Sequence, residues 1–515
     1  MDKNTAEQQN NTSQTEAPAT QSGAFVGKRK SRIRRLTRQQ RLKQLRIMSV
    51  MLVIMILVTG VFLYRDYRER PGIIEASTLR AVERTDDSIT LQWEEARNTD
   101  TYVLYYKKFG KEYADWTKLE LAPHVVEEDG DGSQRTDGGK ASAEVSDLDE
   151  GTEYVFVVRA DSTEREGFET KGKTFSTKGT QTIEVRDHMT KLTSSKPFKL
   201  DAKAETKLSY ESSDPKVVSV NKSSGQVKVK GEGTATITIK AKETADYMPD
   251  ETQMDIEVIA STPVSAGGAS AYIIYNLSPD NCEAVEAIAG EGSIHVPQGV
   301  GYSGDKYYVA YGDAGSQRII SFDTEGSGRD VSVPSIDLGH PNGFCYAEST
   351  GLCYCVRGWT GRCVTYSPET GEYGLITLPY GASGIAYDRA RKMLYTSSRT
   401  AMVAYTCDGS DDDYTVQNTV GVVSHSVSTY TQDCGGHAGI MMRCLSGSSK
   451  HGTNYIDLYD MINGNYLGSL ACDLSEVESC IVDDEGYLEI LANNTSKVDY
   501  IWKTRINIGD IAAGL

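Results

Sequence analysis

NGFCYAESTGLCYCVRG, residues 342–358, places two short apolar runs on either side of a Glu-Ser-Thr-Gly turn. Runs of four or five apolar residues bounded by turn residues read as two strands of a hairpin. The opening of this stretch recurs elsewhere: a polar or small residue, then a glycine, then an apolar strand. Gln298-Gly299-Val300-Gly301-Tyr302 and Ser383-Gly384-Ile385-Ala386-Tyr387 repeat it clearly. Gln432-Asp433-Cys434 and Glu478-Ser479-Cys480-Ile481-Val482 repeat it loosely. Between the second residues of successive pairs the steps are 44, 41, 49 and 46 residues. Within the units a second strand follows (KYYVAYG, LCYCVRG, KMLYTSS, YLEILAN), then a third (RIISFDTEG, RCVTYSPETG, MVAYTCDG, YIDLYDMING).

Strand, turn, strand, turn, strand at a period in the forties predicts a β-propeller over residues 268–510, because one such sheet cannot bury both its faces alone. Five starts are visible. SAYIIYNLSPDNCEAVEAI before the first is expected to pair with the C-terminal VDYIWKTRI region and close the ring, giving five or six blades. The rhythm resembles that of extracellular propellers of the beta-lactonase type. No Trp-Asp repeat, kelch double glycine or sialidase-type Asp-box is present, so the subfamily is unassigned. If each polar-small pair opens an inner strand, Gln298, Asn342, Ser383, Gln432 and Glu478 point toward one mouth of the central channel, and His340 can join them. Such a ring of amide, hydroxyl, carboxylate and imidazole groups suits a carbohydrate, a peptide or a bound cation. Equally, the same groups can satisfy backbone amides where the strand ends converge.

Working outward, residues 181–260 contain LSYESSDPKVVSVNKSSGQVKVKGEGTATITIKA. The Ser212-Ser213-Asp214-Pro215 turn, Val217 and Val220, Gly225, Val227, the Gly231-x-Gly233-Thr234-Ala235 run and Ile237/Ile239 make it similar to the group 2 bacterial immunoglobulin-like domain. That resemblance implies a second sandwich used as a stalk or adhesive repeat. Residues 72–178 hold DDSITLQWEEA, TYVLYYKK and VSDLDEGTEYVFVVRADS, with Ile89, Leu91 and Trp93 alternating on one face. Trp93 and Leu148-x-x-Gly151-Thr152-x-Tyr154 resemble the core tryptophan and corner tyrosine of a fibronectin type III domain. A sandwich with a spacing or binding role is what this implies; the fold names no ligand. Inside this module, EEDGDGSQRTDGG (127–139) puts Asp129, Asp131 and Ser133 at the odd positions of an EF-hand-like loop. Gln134 and Lys140 stand where that loop needs Gly and a bidentate Glu, which favours a solvated hairpin over a calcium site.

Farther toward the N-terminus, Ile47 to Tyr64 are 18 uncharged residues between Arg46 and Arg65. As a helix they extend roughly 27 Å, close to a bilayer's hydrocarbon thickness. A secretory signal would have a shorter basic lead and a small-residue cleavage site. This run has 46 residues before it and ends in Phe62-Leu63-Tyr64, so 47–64 is expected to remain as a transmembrane anchor. Residues 1–46 carry 11 Lys and Arg against three acids, which predicts a cytoplasmic N-terminus and exported C-terminal modules. The basic cluster touches anionic lipid in this scheme, and the Gln/Asn/Thr/Ser-rich lead is expected to be disordered. Residues 47–515 hold 43 basic and 69 acidic residues, a balance that repels phosphate and argues against nucleic-acid binding.

All ten cysteines fall in the terminal module, where Cys345/Cys355 or Cys353/Cys363 could bridge neighbouring strands and others serve as small buried hydrophobes. No C-x-x-C, H-E-x-x-H, G-x-S-x-G or Walker motif occurs, so no metal, cofactor or catalytic residue is assigned. The expectation is an all-β multidomain protein: two β-sandwiches and a five- or six-bladed β-propeller preceded by one transmembrane helix. It would sit on a Gram-positive-type cell surface and display the propeller to an extracellular glycan or protein ligand. The alternatives are an anchored glycan hydrolase or lyase using acids such as Glu478, and an envelope assembly scaffold.

Overall fold

The computed structural model describes residues 37–515 apart from 112–115, 122–138, 290–295, 313–316, 325, 359, 448–452 and 494–497. Most of the basic tail and nearly all of the EF-hand-like stretch lie outside the described residues. The chain is an all-β multidomain protein with one N-terminal apolar helix. That helix, Arg38–Glu69, is exposed along its length and is long and apolar enough to cross a membrane. It stops because Arg70 precedes Pro71, whose ring disfavours helical backbone in the residue before it; Arg70 is extended at φ −70° and ψ 145°. The helix end docks on the first sandwich, where Arg165 meets Asp66 at 2.5 Å and Glu69 at 3.2 Å. Arg97 also lies 4.8 Å over the Tyr67 ring.

In the first sandwich a three-stranded sheet (Arg80–Arg84, Ile89–Glu94, Lys140–Val145) faces a four-stranded one (Thr117–Glu120, Thr101–Lys108, Glu153–Asp161, Lys173–Ser176). The alternation of Ile89, Leu91 and Trp93 puts all three in the core, and Trp93 is 1% exposed. Its indole meets Tyr102 edge-on at 5.3 Å. Tyr154 is buried and its hydroxyl accepts the Asp149 amide at 2.9 Å, tying the corner before its own strand. The second sandwich pairs Leu208–Ser212, Gly233–Ala241, Asp250–Ile259 and His188–Leu192 in one sheet, the last two in parallel. Val218–Val220, Gln226–Val229 and Phe198–Lys199 form the facing sheet.

Among the described residues, four four-stranded sheets and one six-stranded sheet make up the terminal module. Sheet I runs Pro297–Tyr302, Lys306–Tyr311, Arg318–Asp323 and Asp330–Ser332; sheet II runs Gly343–Ala347, Leu352–Val356, Arg362–Tyr366 and Tyr373–Thr377. Sheet III comprises Gly384–Asp388, Met393–Ser397, Ala401–Thr406 and Val416–Gly421. Sheet IV comprises Thr429–His437, Ile440–Gly447, Asn454–Asp460 and Asn465–Cys472, with Val264–Ser265 and Ile273–Leu277 added at its outer edge. Sheet V comprises Glu476–Val482, Tyr487–Asn493 and Val498–Asn507, completed by Cys282–Ala289 from before sheet I. The segment ahead of the first unit is therefore divided between sheets IV and V. The first strands of the five sheets touch in the cycle I, II, III, IV, V and back to I.

This ring and the second sandwich share a core. Leu192 and Ile259 of the sandwich are buried in one apolar cluster with Leu467, Leu470, Ile506, Ile508 and Ile511. A short C-terminal helix, Ile508–Gly514, completes the seam: Asp510 binds Arg186 at 2.5 Å and accepts the Thr190 amide at 3.2 Å.

Candidate functional site

The cycle of inner strands closes tightly because of the glycines that open them. A Cβ on Gly343 would lie 2.8 Å from the Gly384 Cα, and one on Gly384 would lie 2.9 Å from the Asp433 carbonyl carbon. One on Gly299 would lie 2.6 Å from Phe344 Cβ and 3.0 Å from Asp433 Oδ2. Only a hydrogen fits. In sheets IV and V the glycine position is held instead by Asp433 and Ser479, and these two side chains use the space the glycines leave. Asp433, 0% exposed, accepts the Phe344 amide of sheet II at 3.0 Å and the Ile385 amide of sheet III at 2.9 Å. It also accepts the Ser479 hydroxyl of sheet V at 2.7 Å, and Ser479 Oγ accepts the Val300 amide of sheet I at 3.3 Å. All five sheets thus meet at one carboxyl, which fills the axis. Burial pushes its pKa well above the usual carboxylate value despite the donors around it.

The residues singled out from sequence lie at the N-terminal ends of the inner strands. Gln298, Ser383, Gln432 and Glu478 are buried, Asn342 is half-buried and His340 is exposed. Asn342 Nδ2 donates to Gln432 Oε1 at 3.2 Å, and Gln432 Nε2 donates to Ser446 Oγ at 3.1 Å. That relay fixes both amide orientations and leaves Asn342 Oδ1 buried with no partner among the described residues. Gln298 Nε2 turns back onto the Pro297 carbonyl at 3.3 Å, leaving Oε1 equally unpaired. Asn493 Nδ2 donates to Glu478 Oε1 at 3.4 Å. Ser383 does not join the relay; its hydroxyl donates to the Ser397 carbonyl of its own sheet at 3.2 Å. His340 contributes its carbonyl to the Asn342 amide at 2.9 Å.

At the opposite end of the same strands is a cavity of about 170 Å³ that residue spacing did not single out. Tyr302, Tyr346 and Tyr387 line it, each three residues beyond the glycine of its unit, a recurrence that was readable in the sequence. Arg389 spans this end: it binds Glu348 at 3.2 Å, pairs with Asp484, and lies 5.4 Å over the Tyr302 ring. The Tyr302 hydroxyl donates to the Gly304 carbonyl at 2.7 Å. Burial raises the pKa of all three phenols and lowers that of the neighbouring His437, which favours its neutral form. The second sandwich seats at this end. Asn507 Nδ2 donates to the Glu485 carbonyl at 2.8 Å in the turn after the sheet V inner strand, and His188 stacks on Tyr487 at 6.5 Å. The contacts of the second sandwich thus lie at this turn and along the outer strands of sheets IV and V.

Within sheet IV a third polar group is enclosed. Asp457, 0% exposed, binds His425 Nε2 at 2.9 Å and lies 3.9 Å from Arg443 Nη1. Ser469 donates directly to Asp457 rather than to His425, so the set lacks the nucleophile-to-base contact that acyl transfer needs. Arg443 runs on to Thr431 Oγ1 at 2.7 Å and Ser397 Oγ at 3.1 Å, bracing sheet IV against sheet III. Neither candidate bridge forms, and the buried-hydrophobe alternative holds: all ten cysteines are free. The register explains this, since Cys345 sits opposite Tyr354, Cys355 opposite Phe344 and Val364, and Cys353 opposite Tyr366. Nine are buried, and burial raises the pKa of thiols such as Cys353 and Cys472, which leaves them unreactive.

Comparison with known proteins identifies two of the modules. The fibronectin type III family model matches residues 75–176, and the model of the intimin immunoglobulin-like domain matches residues 196–243. The second match supports the immunoglobulin-like module expected over residues 181–260 and names it intimin-type. The chain therefore carries a fibronectin type III module and an intimin-type immunoglobulin-like module. No curated protein matches the chain. Among solved structures, it is similar to the FN5 domain of Drosophila Lar at 17% identity and a TM-score of 0.16, covering 21% of this chain and 98% of that one. It is similar to a C-terminal fragment of intimin in complex with the intimin-binding domain of the translocated intimin receptor, at 15% identity, 37% and 67% coverage and a TM-score of 0.23. A Bacteroides thetaiotaomicron protein of unknown function matches at 10% identity, 63% and 98% coverage and a TM-score of 0.30.

Proposed function

We propose that this chain is a single-pass cell-surface protein whose two sandwiches carry a five-bladed β-propeller head for binding an extracellular ligand. Residues 1–46 are its cytoplasmic tail and 47–64 its anchor; 72–178, 181–260 and 268–510 are the exported modules. One observation carries the reading: the end of the ring that holds Gln298, Asn342, Gln432 and Glu478 keeps two buried acceptors that have no partner among the described residues. The basic flank before the helix sets the orientation by the positive-inside rule. The intimin-type module favours a second reading, in which the ligand is a protein on an opposing surface rather than a glycan. Protease added to intact cells tests the topology: cleavage between the modules with the N-terminal tail protected is expected. Full protection of residues 72–510, with a surface control cut, overturns it.

A further inference from the structure

The cavity at the tyrosine end of the inner strands takes no part in the reading above, and all five sheets line it. Tyr302, Tyr346 and Tyr387 stand at the same position of three consecutive sheets; the matching positions of sheets IV and V hold Gly436 and Val482, which carry no ring. Burial raises the pKa of the three phenols and lowers that of His437, which favours the neutral form of all four rings. Carboxylates are in excess: Asp483, Asp484 and Glu348 stand against Arg389 and Lys503, before the buried Glu489 is counted. The wall already carries one cation, the Arg389 guanidinium 5.4 Å over the Tyr302 ring. Tyr346 stacks on Tyr308 at 5.3 Å, which holds its ring in place. The cavity exists with Arg389 across this end, and the Arg389 and Asp484 side chains are one-third and about half exposed, so solvent reaches it. A cavity of about 150 Å³ holds a benzene-sized guest. At about 170 Å³ this one takes a single compact group rather than a chain. Val300, Cys345, Cys434 and Cys480 make part of the lining apolar, which offers a metal ion or a bare ammonium group little to replace its water. A cation wrapped in methyl groups sheds little hydration and gains from aromatic and apolar walls alike.

We propose that this cavity binds a quaternary ammonium group, held among Tyr302, Tyr346 and Tyr387 and balanced by Asp483 and Asp484. The test is isothermal titration of the full chain in phosphatidylglycerol nanodiscs, with empty nanodiscs subtracted. Its probes are choline, neohexyl alcohol (the uncharged carbon isostere of choline), ethanolamine and glucose. Choline is expected to bind, and the neohexyl alcohol and ethanolamine to bind about tenfold more weakly or worse. Tyr346→Leu is expected to weaken choline binding about fivefold, and Tyr346→Phe, which keeps the ring, to restore it. Arg389→Ala removes a competing guanidinium and is expected to tighten binding. Loss of binding in that variant, with its melt still cooperative, shows that the guanidinium itself holds the ligand and overturns the assignment. Equal affinity for the neohexyl alcohol shows a merely apolar pocket, preference for ethanolamine an acid site without an aromatic cage, and preference for glucose a sugar site. Each of these overturns the assignment, as does absence of choline binding. Phosphocholine separates two sources of the group: affinity equal to choline's points to an ester-linked head group and weaker affinity to a free solute, and either supports it. No residue of the polar end enters, so failure here leaves the ligand-binding reading of that end standing.

Discussion

The two ends of the ring are built from the same five strands and differ in how completely they satisfy themselves. At the sandwich end, Arg389 crosses the mouth to Glu348 and Asp484 and stacks on Tyr302, and His188 of the second sandwich stacks on Tyr487. At the distal end, an amide relay links Asn342, Gln432 and Ser446 and leaves two carbonyl oxygens without a partner among the described residues. Between them, the buried Asp433 carboxyl ties the inner strands of sheets II, III and V together. The lesson is that a ring of this kind can be locked at one end and at its centre, which leaves the other end free to carry unsatisfied groups at a tolerable cost.

The comparison breaks most completely at the centre. Gly343→Val places carbon within contact-forbidden range of Val356 Cγ2, 2.5 Å from the first added atom, and of the Gly384 backbone. Overpacking against backbone has no cheap relaxation, and the ring is expected to fail to close, seen as loss of soluble folded protein. Asp433→Ala leaves the Phe344 and Ile385 amides and the Ser479 hydroxyl without their shared acceptor. A loss of about 3–5 kcal/mol in urea unfolding is expected, with both ends loosened together. If only one end changes its proteolytic susceptibility, the centre is not what couples them.

A pH series sharpens the same point. Asp433 has a folded pKa raised by burial above the unfolded value of about 3.9. In the window above that value the folded state holds its proton more tightly than the unfolded chain. Stability from this group is therefore present at low pH and falls as pH rises toward the folded pKa. Asp433→Asn cannot titrate. The stability difference, wild type minus variant, should shrink from pH 4 to pH 7 in chemical denaturation. A difference that is flat or grows with pH shows that the carboxyl is ionised in the folded ring.

How much of this was legible beforehand follows the same physics. Gly299, Gly343 and Gly384 marked the inner strands because close convergence tolerates no side chain, and that constraint is local enough to read. Asp433 and Ser479 blurred the pattern for a reason visible only in three dimensions: they occupy the room that the glycines on other strands leave. Gln298, Asn342, Gln432 and Glu478 were placed at one end by their repeat position. Ser383 and His340 were placed there too, yet Ser383 bonds within its own sheet and His340 is exposed. The relay through Ser446 was invisible because Ser446 belongs to a second strand. Cysteine spacing left the two candidate bridges open, because ten residues separate each pair whichever way the strands are offset; the actual offset puts Cys345 opposite Tyr354. The tyrosines of the sandwich end were readable as a recurrence but carry no distinctive chemistry until Arg389 is seen above them.

The smallest expected effects separate the two ends. Gln298→Met at the open end should stabilise by about 1 kcal/mol, since an unpaired buried carbonyl is replaced by carbon and sulfur of similar shape. Arg389→Ala at the locked end should destabilise by about 0.5–1 kcal/mol, because Arg389 is one-third exposed, both its acid partners are more than half exposed, and the pairs are screened by water and salt. Opposite signs from two substitutions on one ring are what a locked end and an open end require. Thermal melts of the two variants and their double mutant read this directly: with Asp433 fixed between them, the two effects should add. Coupling larger than about 0.5 kcal/mol means that strain passes through the axis, and the ends are then one site rather than two.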